Sequence, residues 1–427
     1  MSVAHALATP AGRARDDARS GRITLAILLL FAASQVLSGV LRWALGSVGL
    51  AALVYLPALL LWLEVARIAL GRIVSGRLSM SALWLCLALV LAMLVGLLSL
   101  PAKQVVFGTW ILAPVLFGHA ATGGLDLSSR GIRIVAFLAV TVAACGVIGN
   151  AYLDYPWVGA NFELGGKDIA GSREWHIGEQ RRLAGFARSS FDCAGQIAVF
   201  AVIVNASMRH RLLRGLVWAL AIVAIDYTTS RGVLLALLAA MAVIEAPAAL
   251  RRVAAAGALG VGLMLITVPP LLAWTGDYSQ IARLQMKAVY GSYLDRMSAM
   301  WPGALDLLAG SPMPVLGRGL GGIGAAQTLF EPDAFNAADN MFVYQFVTLG
   351  ALALPIIAVF VIGALRHAFA DGDTARTRFG LYLVVIWYGS VGNIVEHPIL
   401  AMTYGLLLHA AFETIKPRPS HPRGTTP

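Results

Sequence analysis

The sequence predicts an all-α integral membrane protein with about twelve transmembrane helices, and three observations support that fold class. Apolar residues make up 59% of the 427-residue chain and charged residues 13%, against about 25% charged residues in an ordinary soluble domain. The mean hydropathy is +0.77. The apolar residues form runs of roughly 15 to 25 residues, the length that a helix needs to cross a hydrocarbon core about 30 Å thick. A soluble globular fold is therefore excluded.

The apolar runs define the predicted spans. Numbered along the chain, they are 23–41, 48–70, 80–100, 105–121, 134–149, 191–207, 215–230, 232–246, 253–274, 340–365, 379–395 and 399–415. The first run follows four arginines and has no small-residue cleavage site after it, which favours a membrane anchor over a signal peptide. The transmembrane domain is therefore predicted to cover residues 23–415.

The positions of the basic residues predict the orientation of these spans. With both tails (1–22 and 416–427) in the cytoplasm, the cytoplasmic segments hold 20 of the 32 Lys and Arg residues, as the positive-inside rule requires. Two long loops, 150–190 and 275–339, then face the periplasm. The net charge of +10 belongs to the cytoplasmic face, where topology and contact with anionic membrane lipid account for it. Nucleic acid is not a predicted partner.

Three motif-like features do not indicate a cofactor or a metal. Residues 319–324 read GxGxxG, but no strand precedes them and no βαβ unit surrounds them, so they predict tight turns or a close backbone approach rather than a dinucleotide site. Asp371 and Asp373 form a DxD in a short cytoplasmic loop among arginines, which favours a solvated turn. Three scattered cysteines lack the spacing of a zinc site or a redox motif. We expect no cofactor and no metal.

Arg231 is the most informative single residue. It lies in Ser230-Arg231-Gly232, a short break between two apolar runs, so its guanidinium is predicted at the outer membrane boundary. An arginine at that depth either snorkels to the interface, pairs with an acid such as Asp226 or Asp192, or binds an anion bidentately. Four further arginines occur in the two long outer loops at positions that precede a span or a glycine run: Arg182, Arg188, Arg296 and Arg318.

Two acidic positions face the same predicted side. Asp339 and Asn340 directly precede the tenth span, where either side chain can cap the helix, and where Asp339 can also act as a general base. Glu396 and His397 lie between the last two spans. An ordinary turn or a second acid–base site accounts for that pair.

These residues together resemble the bacterial O-antigen ligase and polysaccharide polymerase family, integral membrane glycosyltransferases that act on undecaprenyl-diphosphate-linked glycans. The resemblance covers about residues 182–355 and depends on the order of degenerate motifs along the chain. The matching segments are Arg-Leu-Ala-Gly-Phe-Ala-Arg-Ser-Ser at 182–190, Thr-Thr-Ser-Arg-Gly at 228–232, Asp-Arg-Met at 295–297 continuing through Trp301 to Gly-Arg-Gly-Leu-Gly at 317–321, and Asp-Asn-Met-Phe-Val-Tyr at 339–344.

The resemblance implies roles for the outward-facing residues. The diphosphate of the lipid-linked donor is assigned to five arginines: Arg182, Arg188, Arg231, Arg296 and Arg318. Asp339 is assigned the proton of the acceptor, so that Asp339, Arg231 and Arg188 form the expected catalytic set, with inversion at the anomeric carbon. Asn340, Glu396 and His397 are expected to support it. Because a diphosphate leaving group can be stabilised by fixed arginines, the reaction needs no metal ion.

The resemblance also implies where the protein works and with what. The expected location is the bacterial inner membrane, with the site facing the periplasm. The expected partners are the undecaprenyl-diphosphate-linked donor, a glycan or lipid A-core acceptor, membrane lipid, and polysaccharide assembly and chain-length proteins. The ligase branch usually has His-Asn where this chain has Asp339-Asn340, so a polymerase is preferred and an O-antigen ligase is the close alternative.

Two other classes of protein remain open from the residues. A transporter or lipid-linked glycan flippase would also have many spans and a basic cytoplasmic face. It would place ionisable residues near the middle of the bilayer and show internal repeats. Glu64 and Asp226 are the clearest candidates for such residues, and the two halves of the sequence show no repeat. A non-catalytic assembly subunit is the third alternative.

Overall fold

The computed structural model describes residues 10–122, 125–164, 167–177, 179–276 and 292–415. These residues form a helical bundle with two small hairpins. The helices before the first long loop are α1 (Pro10–Val36), α2 (Ser38–Ser47), α3 (Leu56–Val74), α4 (Met80–Ser99), α5 (Ala102–Ile111), α6 (Ala113–Ala121) and α7 (Arg130–Asn150). The helices that follow that loop are α8 (Ser190–Ser207), α9 (Arg211–Tyr227), α10 (Arg231–Glu245), α11 (Ala248–Thr275), α12 (Trp301–Ala309), α13 (Ala325–Phe330), α14 (Met341–Leu349), α15 (Ala353–Ala368), α16 (Asp373–Gly389) and α17 (Pro398–Ile415).

Seven helical segments of the described residues are long and apolar enough to cross a membrane, or eight if the bent pair α1–α2 forms one span. The protein is therefore a helical membrane protein, but helix length and composition do not establish twelve crossings. The helices at the predicted seventh, eighth, eleventh and twelfth spans are α9, α10, α16 and α17, which have 17, 15, 17 and 18 residues.

The first apolar run, predicted as one span over residues 23–41, is broken by a bend. The chain bends by 82° between α1 and α2. After the bend, Ser38 Oγ accepts a hydrogen bond from the Arg188 amide at 2.9 Å, and the Gly39 amide donates to Phe186 O at 2.9 Å. The bend thus exposes backbone and side-chain groups of α2 to the segment that leads into α8, a tertiary contact that a local apolar pattern does not encode.

The two long loops contain short regular segments. The first has the antiparallel hairpins β1–β2 (Asn161–Leu164 with Lys167–Ala170) and β3–β4 (Trp175–Ile177 with Gln180–Arg182). The second has a π-helical turn, Arg296–Met300, directly followed by α12, whose first turn contains Pro302. Proline has no backbone N–H to continue the hydrogen bonding of the π-helical turn, and it lies where that turn gives way to α12.

The glycine run of the second loop, residues 317–324, packs against the bundle. Gly317, Gly319, Gly321 and Gly324 have φ between +82° and +89°, a conformation that glycine adopts without the steric cost of a side chain. A Cβ on Gly321 would lie 2.5 Å from the carbonyl oxygen of Gln104 in α5. These glycines therefore serve both tight turns and close backbone contact, the two uses that the sequence predicts.

Candidate functional site

The candidate site lies at the end of the bundle where α9 and α16 end and α8, α10 and α14 begin. The segment that precedes α8 reaches the end of α9, since the Leu183 amide bonds Tyr227 O at 3.4 Å. The turn before α10 reaches the same segment, since Arg182 Nη2 lies 3.5 Å from Ser230 Oγ. The amide of Asn340, which precedes α14, bonds Ser390 O after α16 at 3.3 Å. Segments distant in sequence thus converge there.

Arg182 is stacked and partly desolvated. Its guanidinium carbon lies 3.8 Å from the centre of the Phe191 ring, a favourable cation–π arrangement. The pKa of Arg182 is lowered to about 10, chiefly by burial and also by the positive charge of Arg296, while Tyr388 and the Asp339 carboxylate oppose the shift. Its Nε atom is buried and has no hydrogen-bond partner among the described residues. Arg182 therefore carries a charge that its surroundings do not fully compensate.

Arg296 and Asp339 form an ion pair. Arg296 Nη2 donates to Asp339 Oδ2 at 2.7 Å, and the side chains are 12% and 27% exposed. Arg296 Nη1 donates to Ser292 O, whereas its buried Nε has no partner in the described part of the chain. The arginine is thus fixed by two contacts and retains an unused donor.

Asn340, rather than Asp339, is the residue that caps α14. Its Oδ1 accepts hydrogen bonds from the amides of Phe342 and Val343 at 2.9 and 3.1 Å. Its amide group donates to Ile266 O in α11 and to Ser390 O. Asn340 is fully buried. It therefore holds three helices together, and the carboxylate of Asp339 is left for Arg296.

Backbone strain is concentrated at this site. Of the described residues other than glycine, Thr229, Ala338 and Asp339 have positive φ, at 55°, 61° and 39°. Such conformations cost about 1–3 kcal/mol each and cluster at functional sites. Two of them belong to the segment that presents Asp339, and the third immediately precedes Ser230 and Arg231. The fold therefore holds both predicted site segments in unfavourable conformations.

A second acidic residue, Asp192, lies beside the Arg296–Asp339 ion pair and contacts His397. His397 Nδ1 is 2.8 Å from Asp192 Oδ1, and Asp192 Oδ2 accepts a hydrogen bond from Ser189 Oγ at 2.7 Å. Tyr388 Oη lies 3.3 Å from His397 Nε2. Since Tyr388 also interacts electrostatically with Asp339, Arg182 and Arg296, it lies between the two pairs.

Glu396 faces the glycine run. Its Oε1 accepts a hydrogen bond from the Ala325 amide at 2.7 Å, and its side chain is hydrogen-bonded to Tyr344. Burial raises the pKa of Glu396 to about 7, although the bond from Ala325 opposes that shift. A Cβ at Gly324 would collide with the Glu396 carboxylate. Glu396 therefore fixes the loop between the glycine run and α13.

Three further cations surround Asp192 and Glu396. Arg173 interacts electrostatically with Arg188, Asp192 and Glu396. Arg188 also lies close enough to Arg42 for mutual repulsion, and the buried Arg42 Nε has no partner in the described part of the chain. The arginines at this end of the bundle outnumber the carboxylates that face them, which is the charge pattern of an anion site.

The remaining predicted residues lie at the edge of this cluster or apart from it. Arg231 is the exposed first residue of α10, and its neighbour Gly232 packs against Val391 and Tyr388. Arg318 forms a two-pronged pair with Glu331, with Nη–Oε distances of 3.0 and 3.2 Å. The carboxylate of Glu331 therefore compensates the charge of Arg318.

Sequence reasoning missed Tyr388, Arg173 and Arg42 as site residues, and it named Asp192 only as a possible structural partner. Asp192 carried a local signal, since it follows an arginine-rich segment at the start of a span. Tyr388 carried none, because it lies inside an apolar run and reaches the site only through the packing of α16.

The acidic residues inside the apolar runs are placed as follows. Glu64 is 2% exposed and bonds Arg67 through both carboxylate oxygens, at 2.6 and 2.7 Å. Asp226 is an exposed residue in the last turn of α9. Glu64 is therefore paired, and Asp226 lies at a helix end. Within the described ranges, no three His, Cys, Asp or Glu side chains are grouped to share a metal ion.

No protein-family model and no curated protein matches the chain.

Proposed function

We propose that the protein is a glycosyltransferase of the bacterial inner membrane that polymerises undecaprenyl-diphosphate-linked oligosaccharide repeat units at the periplasmic face. In this proposal the chain crosses the membrane about twelve times, both termini are cytoplasmic, and the two long loops lie in the periplasm. The single observation that carries the proposal is the group of arginines Arg42, Arg182 and Arg296 beside an acid–base pair, each with a buried Nε atom that has no hydrogen-bond partner among the described residues.

The arginines supply the chemistry that the leaving group requires. As the bond between the anomeric carbon and the diphosphate breaks, negative charge accumulates on the diphosphate oxygens. Fixed guanidinium groups stabilise that charge without reorganisation, and they bind phosphate oxygens in pairs. Arg182 and Arg296 lie within the cluster, Arg188 lies beside it, and Arg231 begins the helix at its edge. Compensation by an anionic ligand also accounts for the uncompensated charge of Arg182.

The acceptor attacks from the side opposite the leaving group, so a single displacement inverts the anomeric centre. The acceptor hydroxyl must lose its proton as the new bond forms. Asp339 was the base expected from the sequence, and its carboxylate is held by Arg296. In this mechanism arginines, rather than a metal ion, stabilise the charge on the diphosphate. The reaction is therefore expected to proceed in excess EDTA.

A ligase differs from a polymerase in its acceptor, which is lipid A-core instead of a second lipid-linked glycan. The residues at positions 339 and 340 are Asp-Asn instead of His-Asn, and this difference favours the polymerase. The transporter hypothesis gains no support from Glu64, whose charge is paired with Arg67.

The test uses the purified protein in lipid nanodiscs and the lipid-linked single repeat units that a deletion strain accumulates. We expect a ladder of longer lipid-linked glycans and release of undecaprenyl diphosphate. Addition of lipid A-core to a parallel reaction separates the two enzyme classes, because a ligase transfers glycan only when that acceptor is present. Movement of the intact donor across a vesicle bilayer without any new glycosidic bond would refute the enzyme and favour a flippase.

A further inference from the structure

The pair His397–Asp192 has the geometry of an oriented acid–base group. Asp192 Oδ1 lies 2.8 Å from His397 Nδ1, and Ser189 Oγ donates to the other carboxylate oxygen at 2.7 Å. Because an ionised carboxylate is an acceptor only, Nδ1 of the ring carries the hydrogen. The lone pair of neutral His397 is then on Nε2, the atom that faces the Tyr388 hydroxyl. The fold therefore selects one tautomer.

The carboxylate has a second effect on the imidazole. When Nε2 takes up a proton, the ring becomes a cation, and the adjacent carboxylate of Asp192 stabilises that cation. Such a carboxylate therefore orients the base and favours its protonated product state. The His397 side chain is 22% exposed and the Asp192 side chain 13%, so the imidazole remains accessible while its orienting partner is more deeply enclosed.

The pair lies beside the arginine cluster. Phe191 is the residue before Asp192. The guanidinium carbon of Arg182 lies 3.8 Å from the centre of the Phe191 ring, and the centres of the Phe191 and His397 rings are 6.5 Å apart. Arg182 and His397 are thus neighbours of the same aromatic ring. One carboxylate oxygen of Asp339 accepts a bond from Arg296 at 2.7 Å, so Asp339 is an ion-pair partner in this site.

We propose that His397, oriented by Asp192, accepts the proton of the acceptor hydroxyl. This inference rests on the glycosyltransferase function proposed above. The acceptor oxygen forms a bond to the anomeric carbon while the carbon–oxygen bond to the diphosphate breaks. The electron pair of that bond leaves with the diphosphate, and the acceptor hydroxyl, which displaces the Tyr388 hydroxyl from His397 Nε2, transfers its proton to that nitrogen. The imidazolium then releases the proton to water, which restores the neutral base.

The surroundings of His397 contain several charged or titratable groups. Asp192 faces it from α8, Arg188 interacts with Asp192 from the segment before that helix, and Tyr388 faces His397 from α16. Glu396 is its neighbour in the turn before α17, and Arg173 lies next to Glu396. Because the Glu396 carboxyl titrates near neutral pH, any pH dependence has to be assigned with variants of both residues.

The experiment compares wild type with His397→Gln, Asp192→Asn and Glu396→Gln in the lipid-linked elongation assay over a range of pH. We expect His397→Gln to lower kcat by about 10² to 10⁴, the usual loss for a general base, with little change in KM for the donor. The fall in rate toward acidic pH should disappear in His397→Gln and persist in Glu396→Gln. Asp192→Asn should lower kcat because the amide does not stabilise the imidazolium.

Two further measurements separate a base from a structural residue. His397→Gln should bind undecaprenyl diphosphate with the wild-type affinity, which shows that the arginine cluster is intact. Added imidazole should restore elongation by His397→Gly, since a free base replaces the lost one but repairs no packing. Elongation by His397→Gln within about threefold of wild type, with its acid limb retained, would overturn the inference while the glycosyltransferase function stands. A wild-type protein inert toward the donor would refute both.

Discussion

At the scale of single residues, Arg182 and its neighbour Arg181 have opposite surroundings. Arg181 pairs with Asp154 and Glu174, each at 3.2 Å. Arg182 stacks on Phe191 and has an unpartnered Nε among the described residues. Adjacent residues of the same type therefore provide a matched pair of variants, one within the candidate site and one outside it.

We predict that Arg182→Lys lowers elongation by about 10- to 100-fold, because hydrogen bonds to charged groups contribute about 1.5–3 kcal/mol. A lysine keeps the charge but loses the planar stacking and the two-pronged contact with phosphate. Arg181→Lys is the control and should retain nearly full activity. Equal activity of the two variants in the nanodisc assay would remove Arg182 from the site.

Asp339 and Asn340 are also adjacent residues with different functions. We predict that Asp339→Asn raises KM for the donor, because Arg296 loses its ionic partner, while the melting temperature changes little. Asn340→Ala should lower the melting temperature, because the loss of a capping side chain costs about 1 kcal/mol and two further hydrogen bonds are lost. The acid limb of the pH–rate profile should persist in Asp339→Asn. Its disappearance there would identify Asp339 as the base.

The raised pKa of Glu396 predicts that the free energy of unfolding depends on pH. Burial raises its pKa from 4.5 to about 7, so the folded protein binds this proton more tightly than the unfolded chain does. The stabilisation is complete below pH 4.5 and is lost as the pH rises through 7. The melting temperature of wild type should therefore decrease across this range relative to Glu396→Gln, which retains an acceptor for the Ala325 amide. Parallel melting curves for the two proteins would contradict the shifted pKa.

At the scale of elements, the bend between α1 and α2 supports the segment that carries the site arginines. A Cβ at Gly39 would lie 2.6 Å from Ala187 O and 3.1 Å from Phe186 O. These are backbone atoms, so they cannot move aside as the end of a flexible side chain does. The position of residues 182–190 consequently depends on a glycine more than 140 residues away in the sequence.

We predict that Gly39→Ala displaces this segment and lowers elongation strongly, while the protein still inserts into the membrane. Gly21→Ala is the matched control, because a Cβ at Gly21 meets no atom within 4 Å. Elongation is measured in nanodiscs and insertion by the yield in the membrane fraction. Full activity of Gly39→Ala would show that the contact is dispensable.

At the scale of the whole molecule, the orientation in the membrane determines whether the site meets periplasmic substrates. Cysteines introduced at the exposed positions Glu163 and Thr328, in a background without Cys86 and Cys145, should react with an impermeant thiol reagent added to intact cells. A cysteine at Asp371 should react only after lysis. The reverse pattern would place the arginine cluster in the cytoplasm and refute the proposed periplasmic reaction.

The sequence by itself determined the class of the protein. The length of its apolar runs predicts membrane-crossing helices, because the thickness of the hydrocarbon core sets the number of residues in a span. The predicted boundaries lie close to most helix ends, as at α4 and α8. Ser-Arg-Gly at 230–232 and Asp-Asn at 339–340 identified segments that the structure brings to one end of the bundle, since short polar breaks between apolar runs lie at helix ends.

Only the tertiary structure decided which of these residues meet. Arg296 contacts Asp339 and His397 contacts Asp192 across 43 and 205 positions of sequence, and a one-dimensional pattern does not encode such distances. The structure also placed Arg318 with Glu331 and bent the first apolar run by 82°. The physical reason is the same in each case: apolarity specifies burial in lipid or protein, whereas the partner of a buried charge is chosen by how the helices pack.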